Sequence, residues 1–243
     1  MKVVSVHQPA YIPWLGYFHK ILLSDVFVYL DTVQFEKNSF INRNKILGAN
    51  GPFWLTVPVK TKGHTDKTLM DLEINEDRWQ VKHIKSIELN YMKTPFFSEV
   101  FPKVKDVLLK AGSSFADFTY MMLEMFTNGL GIDTEIVRSS DLKVTGNKSE
   151  LVKNIVKSLE GRIYVSGKLG KGYLNLEEFK NERINVYFQD YKLNEYQQNS
   201  KVFYPALSVV DSLMNTGWEK TRKIILDNNV TKEKLQGGVY EVE

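Results

Sequence analysis

The fold is decided by residues 3–31, which read VVSVHQPAYIPWLGYFHKILLSDVFVYLD. The runs at 3–6 and 26–30 are short and apolar, as buried strands are. Between them, apolar side chains recur at helical spacing from Trp14 to Leu23. A strand, a short helix and a second strand within about thirty residues predict a right-handed βαβ unit and a parallel sheet.

The rest of the chain continues this alternation of strands and helices. The stretches 53–59 and 68–74 resemble two strands joined by the turn at 60–67 and predict a hairpin. Helical spacing then dominates up to residue 130. Further strands are predicted at 136–137, 162–166 and 184–189, and further helices at 147–159, 174–179, 208–215 and 218–226.

This order of elements predicts an α/β fold with a Rossmann-like, mainly parallel sheet. We expect residues 1–243 to form a single α/β domain. A hairpin and a helical insertion should occupy about residues 53–130, and a helical segment should end the chain.

Composition excludes several classes of protein. The 243 residues include no cysteine, which excludes thiolate zinc fingers, iron–sulfur clusters, disulfide frameworks and thiol catalysis. The four histidines lack metal-ligand spacing, so no structural metal is expected, and the cofactor stays unknown. A net charge of +3 is too small to predict nucleic-acid binding. Neither a signal peptide nor an apolar run of about 20 residues is present, which predicts a cytoplasmic protein without a membrane span.

The first candidate site follows the first predicted strand. His7 lies where open α/β sheets bind ligands, and the next helix begins nearby with free N–H groups suited to phosphate or carboxylate. Gly16 would let a ligand approach the backbone closely. The alternative is a proline-stiffened loop in which Trp14 fills the core. The candidate substrate-binding residues of this segment are Gln8, Tyr11, Trp14, Gly16, Tyr17 and Lys20.

The second candidate site follows the second predicted strand. Asp31 should face the same crevice as His7 and orient its imidazole. Arg43 can bind a phosphate or carboxylate through two hydrogen bonds. The alternative is a solvated, asparagine-rich loop held by its own side-chain bonds. The candidate substrate-binding residues here are Gln34, Asn42, Arg43 and Asn44.

The third candidate is the loop at 166–173, which combines glycines, two lysines and a serine as anion-binding nests do. Its spacing is not that of a Walker A motif, and a solvated surface turn is the alternative. Gln189, at the end of the last predicted strand, could contact a base or a sugar, although a core or loop role is the simpler interpretation. His83 lies on the apolar face of its helix and is predicted to be a core histidine. The candidate residues of the loop are Ser166, Gly167, Lys168, Lys171 and Tyr173.

Several sequence blocks together carry a family resemblance. They are His7-Gln8-Pro9-x-Tyr11-x-Pro13-Trp14-x-Gly16-Tyr17-Phe18-x-Lys20-Ile21, Asp31-x-Val33-Gln34, Asn42-Arg43-Asn44, Trp54-Leu55-Thr56-Val57-Pro58-Val59, Tyr164-Val165-Ser166-Gly167, Phe188-Gln189-Asp190-Tyr191 and Leu207-Ser208-x-x-Asp211-x-Leu213. These blocks, within residues 3–217, resemble the WbqC-like family. The sequence departs from the family at Phe40-Ile41, where many members have Trp-Arg.

The resemblance implies a role in bacterial surface-polysaccharide (O-antigen type) biosynthesis. It implies a transferase that places glycine or another small acyl group on a sugar. We expect His7 and Asp31 to be catalytic, with Arg43, Lys168 and Lys171 holding anionic groups. The expected partner is an activated sugar, nucleotide or acyl donor. Nucleic acid is not expected, although a donor carried on tRNA stays open, as does the oligomeric state.

Two alternative functions stay open at this point. One is a nucleotidyltransferase-like enzyme, because Gly16-Tyr17 occupies the place of Gly-His in the HIGH-type nucleotidyltransferases. The other is a non-catalytic sugar-nucleotide-binding protein of the same pathway. A pocket that holds a titratable pair such as His7 and Asp31 would favour an enzyme over a binding protein.

Overall fold

The computed structural model describes residues 1–61, 67–75 and 78–238. Its strands are, in chain order, β1 (Val3–His7), β2 (Val26–Tyr29), β3 (Arg43–Gly48), β4 (Gly51–Thr56), β5 (Glu135–Arg138), β6 (Ile163–Ser166) and β7 (Asn185–Phe188). Its α-helices are α1 (Leu15–Leu22), α2 (Trp79–Tyr91), α3 (Phe97–Leu109), α4 (Phe115–Gly129), α5 (Lys148–Ser158), α6 (Leu176–Asn181), α7 (Val209–Leu226) and α8 (Lys232–Gln236). None of the described helices is long and apolar enough to cross a membrane.

A five-stranded sheet in the order β5-β2-β1-β6-β7 forms the centre of the fold. Its neighbouring strands all pair in parallel. From β1 the chain builds outward to β2 and β5, and then returns to the other side of β1 to add β6 and β7. The order therefore reverses between β1 and β6, and such a switch point is where α/β sheets bind ligands. The predicted α/β class with a mainly parallel sheet is confirmed.

The two faces of the sheet are covered by different helices. Val4 and Val6 of β1 pack on one face with α5, whereas Phe27 and Tyr29 of β2 join the large core on the other face. That large core includes side chains of α1, α4 and α7. Because strand side chains alternate between faces, Ser5 and His7 point to the α1 side of the sheet.

The hairpin pairs different strands from those predicted. β3 pairs antiparallel with β4, from Arg43 opposite Thr56 to Gly48 opposite Gly51. The polar, asparagine-rich composition at 42–44 favours a loop, whereas the structure forms strand β3 there. The stretch 68–74 contains a short 3₁₀ helix, Leu69–Asp71, and its described bridge to 53–59 joins Val59 and Ile74. Residues 62–66 of the predicted turn at 60–67 lie outside the described residues.

The two last predicted helices are both present and lie within α7, separated by one non-helical residue. The kink of α7 is at Gly217, whose φ of 77° lies in the left-handed region. A Cβ at this position would collide with the ring of Phe96. Glycine is therefore required both by the backbone conformation and by the close packing of α7 against the start of α3.

Candidate functional site

The parallel pairing brings the carboxyl ends of five strands to one edge of the sheet. His7 ends β1, and Asp31 follows β2 by two residues. Ser166 ends β6, and Gln189 follows β7 directly. We call this the carboxyl edge. These four predicted site residues are thus placed on the same side of the molecule by strand direction alone.

His7 has a defined tautomer. Its Nδ1 lies 2.9 Å from the carbonyl oxygen of Gln8. A carbonyl oxygen can only accept, so Nδ1 carries the proton and Nε2 keeps its lone pair. The half-buried ring packs edge-on against Tyr17 and Trp14 at centroid distances of 4.7 and 5.6 Å. Burial and the charge of Lys20 lower the pKa of His7 to about 3, so the imidazole is neutral at pH 7.

Lys20 places a buried amine next to this imidazole. Only 3% of the residue is exposed, and its Nζ donates a 2.9 Å hydrogen bond to the carbonyl oxygen of Val6. Among the described residues it forms no ion pair. Burial lowers the pKa of Lys20 to about 7 from its ordinary value of 10.5. A buried ammonium without a counter-ion is costly, which distinguishes Lys20 from an ordinary helix lysine.

Asp31 does not contact His7 through any described hydrogen bond. Its buried carboxylate accepts from the Ser139 hydroxyl at 2.8 Å, and from the Ser140 amide and hydroxyl at 3.0 and 2.9 Å. The carboxylate therefore ties the end of β2 to the end of β5. Sequence analysis did not single out Ser139 and Ser140, although two serines directly after a strand were the available signal. The prediction that Asp31 orients His7 finds no support in these contacts.

Gly16 and Gln189 make contacts within the protein at the carboxyl edge. The Gln189 amide donates to the Gly16 carbonyl oxygen at 2.9 Å and lies 2.8 Å from His19 Nδ1. A Cβ at Gly16 would meet the rings of Trp14 and Tyr191 at 2.8 and 2.9 Å. Gly16 thus makes room for two aromatic side chains, and the close ligand approach predicted there is blocked by them.

The loop after β6 forms a 3₁₀ helix, Lys168–Gly172. The Ser166 hydroxyl bonds to the Gly167 carbonyl oxygen at 3.2 Å. Lys168 forms an exposed ion pair with Asp190 at 2.7 Å. Lys171 and Tyr173 are also exposed. These lysines can add positive potential at the carboxyl edge, but Asp190 offsets the charge of Lys168.

Three predicted substrate-binding residues are structural. Tyr11 is fully buried, and its hydroxyl lies 2.8 Å from Nδ1 of His83 in the core. The buried Asn42 amide donates to the Val57 carbonyl oxygen, and that of Asn44 donates to the Ile12 carbonyl oxygen, both at 2.8 Å. The polar groups of Tyr11, Asn42 and Asn44 thus have partners within the protein, which gives no support to their predicted contacts with substrate. The prediction of a core His83 is confirmed.

Gln34 is exposed in the loop before the hairpin. It forms an isolated β-bridge with Thr68. The described contacts do not join it to His7 or to Lys20.

Arg43 belongs to an aromatic and cationic surface on the hairpin. Its guanidinium carbon lies 4.4 Å from the ring centroid of Trp54, and Nζ of Lys45 lies 4.9 Å from that centroid. The ring of Phe40 lies 5.4 Å from Trp54. We call these four residues the hairpin ring surface. Phe40 also lies 6.0 Å from Trp14, which connects the surface to the carboxyl edge. Sequence analysis missed Lys45 and Trp54 because their pairing depends on β3.

Known proteins are similar to this chain over most of its length. The model of the WbqC-like protein family matches residues 8–223. The chain belongs to the WbqC-like family. An uncharacterized protein of Mycobacterium tuberculosis is 31% identical over 221 residues, which cover 90% of this chain and 96% of that protein. The range matched by the family model, 8–223, spans α1 and the whole hairpin of this WbqC-like chain. Neither name states a reaction or a substrate.

The site of this WbqC-like protein combines two chemical properties. In its protonated form Lys20 offers a positive charge that its described surroundings leave uncompensated, and His7 offers an unprotonated Nε2. Together they suit an anionic group and a proton-accepting step. Within the described ranges, no three His, Asp or Glu side chains converge as a metal-ligand set.

Proposed function

We propose that this WbqC-like protein is a transferase of surface-polysaccharide precursor biosynthesis. It moves a small aminoacyl group, such as glycine, from an activated phosphate-bearing donor to a sugar. The observation that carries the proposal is Lys20, buried beside His7 at the carboxyl edge without an acidic partner among the described residues. Removing an ammonium from water without a counter-ion costs several kcal/mol. A ligand anion would offset that cost by completing the pair.

The proposed step assigns one role to each side chain. The acceptor's hydroxyl or amine attacks the acyl carbon, and a new ester or amide bond forms. The bond between the acyl carbon and the phosphate oxygen breaks, and the phosphate leaves with the electron pair. Nε2 of His7 receives the acceptor's proton, and Lys20 neutralises the leaving phosphate. A bound anion raises the pKa of both groups above the low values of the empty site, which makes His7 a stronger base.

One observation favours a second candidate, a non-catalytic sugar-nucleotide-binding protein. The carboxylate of Asp31 is occupied by Ser139 and Ser140, so the expected His7–Asp31 pair is not formed. In the proposed enzyme, His7 and Lys20 take the place of that titratable pair. The two candidates differ in whether His7 affects turnover or only affinity.

A ligand screen is the first test of the proposal. Pyrophosphate, sugar nucleotides and a non-hydrolysable glycyl-adenylate mimic would be added separately, with the shift in Tm as readout. We expect pyrophosphate and the glycyl-adenylate mimic to raise Tm in the wild type but not in Lys20→Met. Lys110→Met is the matched control, because Lys110 is exposed and paired with Asp106. Equal shifts in Lys20→Met and in the wild type would contradict the anion site.

Replacing His7 by asparagine should affect turnover more than folding. Asparagine keeps a hydrogen-bonding side chain but cannot accept the proton, so kcat should fall by about 10²–10⁴-fold. The affinity for pyrophosphate should change little, and Tm should move by only a few degrees. The measurement is kcat and KM with the donor identified in the screen. Unchanged kcat in His7→Asn would remove His7 from the mechanism and favour another base.

A further inference from the structure

The hairpin ring surface has two properties that the proposed transfer step does not use. Its aromatic side chains are open to solvent, with Phe40 45% and Trp54 38% exposed. Its cations lie over the Trp54 ring, and neither Arg43 nor Lys45 has an acidic partner among the described ion pairs. Large exposed aromatics beside unpaired cations are typical of surfaces that bind anionic ring compounds.

Arg43 also leaves a hydrogen-bond donor unused. Its Nη2 donates to the Asn38 carbonyl oxygen, which fixes the side chain. Its Nε is buried yet has no hydrogen-bond partner in the described part of the chain. Buried donors are nearly always satisfied, and an orphan therefore calls for an explanation. A shift of the guanidinium that exposes Nε to a ligand oxygen would satisfy it.

A line of rings connects this surface to His7. The ring centroids of His7 and Trp14 are 5.6 Å apart, those of Trp14 and Phe40 are 6.0 Å apart, and those of Phe40 and Trp54 are 5.4 Å apart. Three short steps keep the two ends within the reach of one extended ligand of sugar-nucleotide size. A ligand whose base lies on Trp54 can thus place its sugar near the carboxyl edge.

We propose that the hairpin ring surface binds the nucleobase and the adjoining phosphates of a nucleoside-diphosphate sugar, which is the acceptor. This inference rests on the proposed function, because it names the carrier of the sugar that receives the acyl group. The base stacks on the rings of Trp54 and Phe40. Arg43 and Lys45 neutralise the diphosphate, and Nε of Arg43 donates to a phosphate oxygen once the guanidinium shifts to expose it. A neutral free sugar would leave both cations without a role.

The test measures the affinity of five nucleoside diphosphates (ADP, GDP, CDP, UDP and dTDP) by calorimetric titration. At least one should bind the wild type, and Trp54→Ala should weaken its binding by about five- to 150-fold, the range for loss of one stacked base. Trp54→Phe keeps an aromatic face and should retain most of the affinity. Leu109→Ala, which removes an exposed apolar side chain at the end of α3, is the matched control and should change nothing.

The same titrations separate this inference from the proposed function. Pyrophosphate, which lacks a base, should bind through Lys20 and keep its affinity in Trp54→Ala. Unchanged nucleoside-diphosphate affinity in Trp54→Ala overturns the base subsite while leaving the anion site at Lys20 intact. If none of the five nucleoside diphosphates binds the wild type, the inference is also wrong. Loss of pyrophosphate binding in Lys20→Met supports the proposed function independently of either result.

Discussion

Lys20→Met is expected to weaken pyrophosphate binding and, at pH 6, to raise the free energy of unfolding. The lost charge-assisted hydrogen bond alone should weaken pyrophosphate binding by more than about tenfold. The gain in stability follows from removing a buried ammonium that costs more than its one hydrogen bond to the Val6 carbonyl oxygen contributes. A residue that lowers stability while it supports binding is typical of functional sites.

The lowered pKa of Lys20 determines whether the stability of the protein rises or falls with pH. The pKa of Lys20 is about 7 in the folded chain, below its ordinary value of 10.5. Between these two values the unfolded chain binds more protons, so wild-type stability should rise with pH across this window. Each pH unit corresponds to about 1.4 kcal/mol at most. Lys20→Met should lose this rise, whereas Lys110→Met should keep it. Equal pH slopes in the wild type and Lys20→Met would contradict the account.

Asp211→Ala is expected to lower the free energy of unfolding by about 3 kcal/mol or more. Its fully buried carboxylate accepts from the hydroxyls of Tyr91 and Tyr196, both at 2.8 Å, and from the Gln198 amide at 3.0 Å. Alanine would leave the two tyrosine hydroxyls without this acceptor, whereas the Gln198 amide would keep the Tyr204 carbonyl oxygen at 3.0 Å. Urea unfolding measures the loss, and Asp211→Asn, which keeps one acceptor oxygen, should lose less. A loss below about 1 kcal/mol in Asp211→Ala would show that the donors find other partners.

This carboxylate also matters for the geometry of the site. Gln198, one of its donors, accepts from the Tyr204 amide at 2.8 Å. A few residues later the Ser208 amide donates to the Lys45 carbonyl oxygen at 2.9 Å. The connection between β7 and α7 thus holds α7 and the hairpin together. Asp211→Ala should therefore weaken nucleoside-diphosphate binding as well as stability.

Sequence analysis could predict the elements whose signals are local. The unit β1–α1–β2 was readable because buried strands are continuous apolar runs and the helix between them shows its own period. Parallel pairing then implied that His7 and Asp31 lie at one edge. The prediction of Lys20 as a candidate came from the same segment, but its lack of an acidic partner depends on the whole fold.

The features that were missed depend on contacts distant in sequence. Asp31 and Ser139 are 108 residues apart, so no local pattern showed that this carboxylate was already occupied. The asparagines at 42 and 44 are typical of a polar loop. In the structure they are buried, and their side-chain amides donate hydrogen bonds to backbone carbonyl oxygens. Tyr11 was a candidate because it lies between other candidate residues in the sequence. In the fold it packs in the core, where its hydroxyl contacts His83.

The central claim is that Lys20 is a buried amine that binds a ligand anion in its protonated form. The titration of the Lys20 side chain tests this claim most directly. The Cε chemical shift of Lys20 would be followed by ¹³C NMR from pH 5 to 11, with the signal assigned by its absence in Lys20→Met. The account predicts a midpoint of about 7 in the free protein. Saturating pyrophosphate should move that midpoint upward by at least about one pH unit. A midpoint near that of a solvated lysine, about 10.4, or one that pyrophosphate leaves unchanged, would contradict the claim.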